Sequence, residues 1–198
     1  MAVRALSNEV RSVCEFETDR LRVAPWHEIA QRLEVDLAQV IARMLTVRAT
    51  LGLPESWQGE HTVESASDWI DDRDAEASML LVVESESGQP VGIVVLAEAP
   101  ISTTEVDIRI GYLIDEDVWG QGMATELVLG LVAWARRRPG IRTVTGGVDP
   151  ANRGSVRVLE KCGFDPIGPP NTGAHEYQLE IRSPSVESGQ SADRRLDE

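Results

Sequence analysis

The 198-residue chain is poor in the residues that build metal centres and covalent frameworks. Its two cysteines, Cys14 and Cys162, stand far apart and form no Cys-x-x-Cys pair. That excludes a disulfide scaffold and a zinc site built on cysteine pairs. The three histidines, His27, His61 and His175, form no His-Glu-x-x-His pair, so no metal site is expected. Long hydrophobic runs are also missing. The longest apolar stretches, Val91–Ala97 and Leu127–Ala135, fall well short of the ~20 residues that span a membrane. The opening MAVRALSNEVRSV holds no apolar segment of signal-peptide length. A soluble, cytoplasmic protein is expected. Positive charge is scarce as well: 19 Lys and Arg face 33 Asp and Glu, a formal net charge of −14. Broad nucleic-acid binding needs a basic footprint, and an anionic membrane surface needs a polybasic segment, so neither partner is expected. The acidic surplus weakly favours cationic ligands or simply keeps the chain soluble.

What is present is an ordinary globular mixture, 42% hydrophobic and 26% charged. It suits one core-bearing domain with tails. Residues 1–16 read as a leader, 17–182 as the folded domain and 183–198 as a disordered tail whose bulky apolar residues are Val186 and Leu196. Arg20–Ala24 reads as a strand. Apolar residues from Ile29 to Leu51 recur at helical spacing, as one long helix or two broken ones. Turn chemistry surrounds Trp57, and Val63–Asp72 reads as a short helix. Met79–Glu84 and Val91–Glu98 are strands joined by a turn at Ser85–Pro90. Residues 105–114 alternate strictly, with Glu105, Asp107 and Arg109 on one face and Val106, Ile108 and Ile110 on the other, as in a strand with one wet face. A helix over Thr125–Arg138, a strand over Ile141–Val148, a helix from the N-cap Asn152 to Cys162 and a last strand over 175–182 follow. The order of elements implies α/β with a mixed sheet, not an all-parallel doubly wound fold.

The strongest local signal is Trp119-Gly120-Gln121-Gly122-Met123-Ala124-Thr125, between a strand and a helix. Small residues at 120, 122 and 124 let a ligand approach the backbone, and the helix start offers unpaired N–H groups, which together suit a diphosphate. The alternative is a tight turn only. A dinucleotide fingerprint would need glycine at 125, and a P-loop would need Gly-Lys-Ser/Thr; neither is there. The second signal is Asn152-x-x-Ser155 followed by Glu160-Lys161-Cys162-Gly163-Phe164.

Together, the strand ending Gly111-Tyr112-Leu113-Ile114, the Gly-x-Gly-x-Ala loop and the Asn-x-x-Ser segment resemble the GNAT superfamily of acyl-CoA-dependent N-acetyltransferases. Within it the chain looks most like the branch of ribosomal-protein N-terminal acetyltransferases, whose opening strand Thr18-Asp19-Arg20-Leu21-Arg22 resembles. The resemblance runs from about residue 17 to 182. It implies a GNAT-like mixed, largely antiparallel central sheet splayed into a V-shaped acyl-CoA slot and flanked by helices. Acetyl-CoA is the implied cosubstrate, with no metal. Its pantetheine arm would meet the backbone of Leu113 and Ile114, and its diphosphate the N–H groups of Gly120, Gln121, Gly122, Met123, Ala124 and Thr125. Asn152 would reach the pantetheine or the incoming amine, and Ser155 the thioester sulfur.

The chain departs from the family pattern at three places. Trp119 stands where relatives carry Gln or Arg. Leu159 stands where many carry the tyrosine that protonates the leaving thiolate, so the resemblance makes Ser155 the substitute. Arg109 stands near the usual glutamate base, with Asp107 and Glu105 further back; these two, Glu176 or Glu180 can serve directly or through water. An α-amine, with a pKa of ~7.7–8.0 against ~10.4 for lysine, needs less help from a base. The reading is therefore direct acetyl transfer in a ternary complex to a peptide N-terminus or small amine. The alternatives are an aminoglycoside or polyamine acetyltransferase and a non-catalytic CoA-binding regulator. Cys162, at a helix end, reads as a small buried hydrophobe rather than a nucleophile. Trp57 and Trp69 read as packing residues. The arginines 136–138, 153 and 157 suit either the adenosine phosphates or solvent. Open sheet edges make a homodimer conceivable.

Overall fold

In the computed structural model, which describes residues 14–59, 61–168 and 173–181, the alternating segments become strands of one sheet. These are β1 (Phe16–Glu17), β2 (Leu21–Pro25), β3 (Ser78–Glu84), β4 (Pro90–Pro100), β5 (Val106–Ile114), β6 (Ile141–Val148), β7 (Asp165–Ile167) and β8 (His175–Glu180). Their order is β1-β2-β3-β4-β5-β6-β8-β7. Every neighbouring pair is antiparallel except β5 and β6. That parallel pair requires a crossover, and the helix α4 (Met123–Arg136) supplies it.

Helices cover both faces of the sheet. On one side, α4 and α5 (Arg153–Lys161) close a core containing Leu127, Leu131, Trp134 and Leu159 over Ile108, Ile110 and Val144. On the other, α1 (Trp26–Leu33), α2 (Leu37–Met44) and α3 (Val63–Glu76) close a second core with Ile41, Trp69, Leu81 and Ile93. Trp57 and Trp69 meet edge to face there, with centroids 4.9 Å apart, as packing residues do.

The apolar run from Ile29 breaks into two helices for a local reason. Glu34 turns left-handed at φ 55°, and the Asp36 carboxylate accepts from the N–H groups of Ala38 and Gln39 to start α2. Beyond Met44 the chain runs as turns to Leu53. A reciprocal Thr62–Ser65 cap starts α3, which continues past Asp72 to Glu76. The helix expected from Thr125 begins at Met123 and ends at Arg136. Cys14 and Phe16, assigned to the leader on sequence, are buried in the first core, and Phe16 pairs with Val23. At Gly130 of α4, a Cβ would fall 2.6 Å from Thr18 Cγ2 and 2.7 Å from Phe16 Cε2, so β1 and α4 meet with no room for a side chain. The tail at 183–198 lies outside the described residues. Among the described residues, no helix is long and apolar enough to cross a membrane.

Candidate active site

The sheet opens at one seam. β5 and β6 pair from Val106–Ile141 to Ile110–Gly146, then part while β5 runs on to Ile114 and β6 to Val148. On their outer sides both stay paired, β5 with β4 up to Ile114 and β6 with β8 up to Val148. The result is a V-shaped slot. Strand alternation decides which backbone groups look into it. The Val106 N–H donates to Gly140 O on the β6 side, and the Asp115 N–H donates to Val91 O on the β4 side. The even residues Tyr112 and Ile114 therefore turn their peptide groups into the slot, and Leu113 turns its own towards β4. Consistent with this, a Cβ on Gly92 of β4 would meet Leu113 O at 2.6 Å. The Ile114 carbonyl accepts from Trp119 Nε1 at 2.7 Å.

The glycine loop lies at the slot's mouth. Gly120 and Gly122 have φ of 76° and 81°, left-handed values that favour glycine. Gly122 caps α4, and nothing lies within 4 Å of a Cβ built on Gly120. The first N–H groups of α4, from Met123 to Thr125, lack intrahelical partners by their position. Backbone and small side chains thus make a cradle whose chemistry suits an anion, as the helix dipole also does. Glu126 braces it. Its carboxylate accepts from Thr18 Oγ1 at 2.6 Å, from the Arg20 N–H at 2.8 Å and from Arg20 Nε at 2.6 Å, and Arg20 Nη1 donates to Gln121 O at 3.1 Å. Burial pushes the Glu126 carboxyl up, but these hydrogen bonds outweigh it and hold the group below its ordinary value. Beside the cradle runs a groove of about 530 Å³ lined by Thr18, Gly122, Thr125, Glu126 and Lys161. A second groove of about 560 Å³ lies at the far end of α4, lined among others by Arg136, one of the arginines considered for the adenosine phosphates, and Glu180, one of the four possible bases.

On the α5 side of the slot, the Asn152 side chain accepts from the Ser155 N–H at 3.0 Å and starts α5. Both residues thus share the first turn of that helix. Leu159 is buried and stands 3.8 Å from where a Gly146 Cβ would be. The Tyr112 side chain points to this same side. Burial pushes its phenol up to about 12, while the Ser155 hydroxyl draws it back. Cys162 is buried, and burial raises its thiol, which suits a packing role rather than a nucleophile.

The opposite side of the slot carries charge. Arg109 and Glu176 pair through both guanidinium nitrogens, at 2.8 and 2.6 Å. They meet over Gly147, where a Cβ would fall 2.8 Å from Arg109 Nη2 and 3.2 Å from Glu176 Oε1. The Arg109 guanidinium is held above its ordinary value by the Glu176 hydrogen bond. Asp107 accepts from Thr143 Oγ1 in the paired part of the seam. Glu105 precedes β5 and faces Arg142 at 3.8 Å. At ~3.3 Å per residue, Asp107 lies roughly 23 Å and Glu105 roughly 30 Å along the strand from Ile114. The structure therefore gathers Ile114, Asn152, Ser155 and the Gly120–Thr125 loop at the slot, and sets Asp107 and Glu105 towards the other end of β5.

Several participants have no local sequence signal because they act across the chain. Residues 46–53 form a strap over the slot. Thr46 Oγ1 donates to Glu116, and Arg48 pairs with Glu116 at 3.3 Å and stacks 5.1 Å over the Trp119 ring. On the other lip, the Gly52 Cβ position lies 3.3 Å from Asp149. Arg43 fastens α2 to the same region through Asp115 and, at 2.8 Å, through Pro90 O. The Arg20–Glu126 brace joins residues more than a hundred positions apart.

Comparison with known proteins agrees with this geometry. A family model, the acetyltransferase (GNAT) domain, matches residues 20–165. Over 59 residues, 30% of this chain, the sequence is 42% identical to the probable N-acetyltransferase YjcK of Bacillus subtilis (strain 168). That match spans 33% of YjcK, a third of its length. Among solved structures, a GNAT-family acetyltransferase from Bacillus anthracis superposes with a TM-score of 0.65 at 18% identity, over 84% of this chain and 97% of the other. The ribosomal L7/L12 α-N-protein acetyltransferase RimL, solved in complex with coenzyme A, gives 0.64 at 18% identity, over 84% and 98%.

Proposed function

Because this chain belongs to the GNAT acetyltransferase family, acyltransferases supplied by acetyl-CoA, we propose that it moves an acetyl group from acetyl-CoA directly to a primary amine in a ternary complex. One observation carries the reading: β5 and β6 part beyond Ile110 and Gly146, with the glycine cradle at one end of the opening and Ser155 beside it. In this reading the N–H groups from Gly120 to Thr125 hold the diphosphate, and the adjoining groove takes the nucleotide end. The peptide groups of Tyr112 and Ile114, which face the slot, bind the pantetheine arm. The Ile114 N–H polarises the acetyl carbonyl where negative charge develops. Asn152 spends its carbonyl oxygen on the helix cap and keeps its amide N–H groups for the pantetheine or the amine. Ser155 hydrogen-bonds the departing sulfur. A thiol has a reference pKa of ~8.5, so its thiolate leaves with modest help.

The acceptor enters from the side bearing Arg109 and Glu176. Glu176 orients the amine, and Arg109 holds that carboxylate in place through its two hydrogen bonds. This arrangement suits an amine already partly neutral near pH 7, such as a peptide α-amine at ~7.7–8.0, better than a lysine side chain at ~10.4. A polycationic acceptor is the second reading, favoured by the net charge of −14. Calorimetry with acetyl-CoA, followed by thiol release against N-terminal peptides, polyamines and aminoglycosides, tests both. Micromolar binding with release driven by peptide α-amines is expected. Release with polyamines or aminoglycosides alone transfers the assignment to the second reading, and absence of acetyl-CoA binding refutes both.

A further inference from the structure

The Tyr112 side chain has no role in the chemistry described so far, yet it stands at the slot in an unusual state. It follows Gly111 immediately beyond the last paired residue of the seam, Ile110, on the strand wall that faces α5. Its ring packs against the first core. Its hydroxyl is buried and has no hydrogen-bond partner. Ser155 bears on its phenol from α5, in a contact that falls outside hydrogen-bond geometry. Native structures leave few buried hydroxyls unpaired, because a polar group taken from water without a partner carries a free-energy penalty. Among the described residues, the other unpaired buried side-chain atoms belong to Arg22 on β2, Arg73 on α3 and His61 in the loop before it. Tyr112 alone among them points to the side of the slot where Ser155 stands.

We propose that Tyr112 is a positioning residue: in the loaded slot its O–H donates to Ser155 Oγ, which leaves the single Ser155 proton directed at the sulfur. The inference rests on the reading of Ser155 above and deepens it. A serine hydroxyl holds one hydrogen and can both donate and accept. On its own it divides its time among several partners. A donor fixed behind it consumes an acceptor position and orients its proton outwards, and chained hydrogen bonds strengthen each other in a dry site. Tyr112 is suited to the task because it keeps its proton. Burial holds the phenol near 12, far above the pKa of a thiol, so it donates throughout and does not surrender its hydrogen. In the transfer itself, the C–N bond forms and the C–S bond breaks with its electron pair on sulfur. The proton lost by the amine nitrogen ends on that sulfur. Both hydroxyls hydrogen-bond through the step and are returned unchanged.

The test uses CoA itself and needs no acceptor. The thiol of bound CoA is titrated by its thiolate ultraviolet absorbance in the wild type, Tyr112→Phe, Ser155→Ala and the double variant. A hydrogen bond to the thiolate lowers the bound thiol's pKa. We expect Tyr112→Phe to raise that pKa by about one unit, Ser155→Ala by as much or more, and the double variant by no more than Ser155→Ala alone. The affinity for CoA measured well below the thiol pKa, and the melting temperature, should stay unchanged or rise in Tyr112→Phe, which a merely structural role would not give. A bound-thiol pKa that moves in Ser155→Ala but not in Tyr112→Phe overturns the proposal and keeps the reading of Ser155. Additive shifts in the double variant overturn it too, because Tyr112 would then act independently. No shift in Ser155→Ala overturns the Ser155 reading and the proposal together.

Discussion

Replacing Gly122 tests the cradle most directly, because two variants separate backbone strain from ligand exclusion. Gly122 caps α4 at φ 81°, so any L-residue there pays ~1–2 kcal/mol for the left-handed conformation. Space is not the obstacle, since the Cβ position lies 3.7 Å from Arg20 Nη2, an ordinary contact. Gly122→Ala and Gly122→Glu should therefore lose similar stability, a fall in melting temperature of roughly 2–8 °C for a chain of this size. Their binding should differ. A carboxylate about 5 Å from one diphosphate charge, at an effective dielectric of about 20, costs about 3 kcal/mol, or roughly a hundredfold in affinity. Arg20 does little to soften this, because it already holds Glu126 at 2.6 Å and Gln121 O at 3.1 Å. Thermal melts and calorimetry with acetyl-CoA on the two proteins complete the comparison. If Gly122→Glu binds within about threefold of Gly122→Ala, a difference under ~1 kcal/mol, the loop does not hold the diphosphate.

Four further outcomes are expected. Ser155→Ala should lower turnover at least about tenfold with little change in acetyl-CoA affinity, the mark of an interaction made in the transition state; equal losses in kcat and affinity would contradict it. Glu126→Gln should melt below the wild type at pH 7. A carboxyl held low in the folded state stabilises above its unfolded pKa of ~4.3, and that contribution is lost as pH falls through the folded value. The melting difference should therefore shrink in acid, and a gap that persists unchanged there would refute the brace. Gly130→Ala should destabilise by ~1–3 kcal/mol in chemical denaturation, because its methyl would strike Phe16 and Thr18 at under 3 Å. Cys162→Ala should retain turnover within about twofold, since burial keeps that thiol protonated; a tenfold loss would restore it as a participant.

Much of this architecture is written in local pattern. Alternation at 105–114 separates the core side of β5 from its charged side, as found. The Asn152 cap and the Gly163 stop, with φ 86°, bound α5 as their chemistry requires. The glycine loop declares itself because positive φ is a demand on one residue at a time. Less legible were contacts between distant segments. No periodicity announces that Phe16 and Cys14 are buried under α4, that β1 and β7 exist at two and three residues, or that Gly52 reaches Asp149. The carboxylates show the limit most plainly. Glu105 and Asp107 share the charged face of β5 with Arg109, and only the point where the strands part separates the residues at the slot from those far below it.

The parting of the strands also has a dynamic signature. A backbone amide exchanges its hydrogen with solvent slowly when it is locked in a ladder and quickly when it is not. On β5 that protection should change character within a few residues. The amides of Ile108 and Ile110, facing paired β6, should exchange slowly, and so should that of Leu113, which faces β4. Those of Tyr112 and Ile114 face the side that β6 has left and should exchange fast, although they lie in the middle of an eight-stranded sheet. A bound pantetheine arm would act as the missing strand and slow these two amides while leaving Leu113 unchanged.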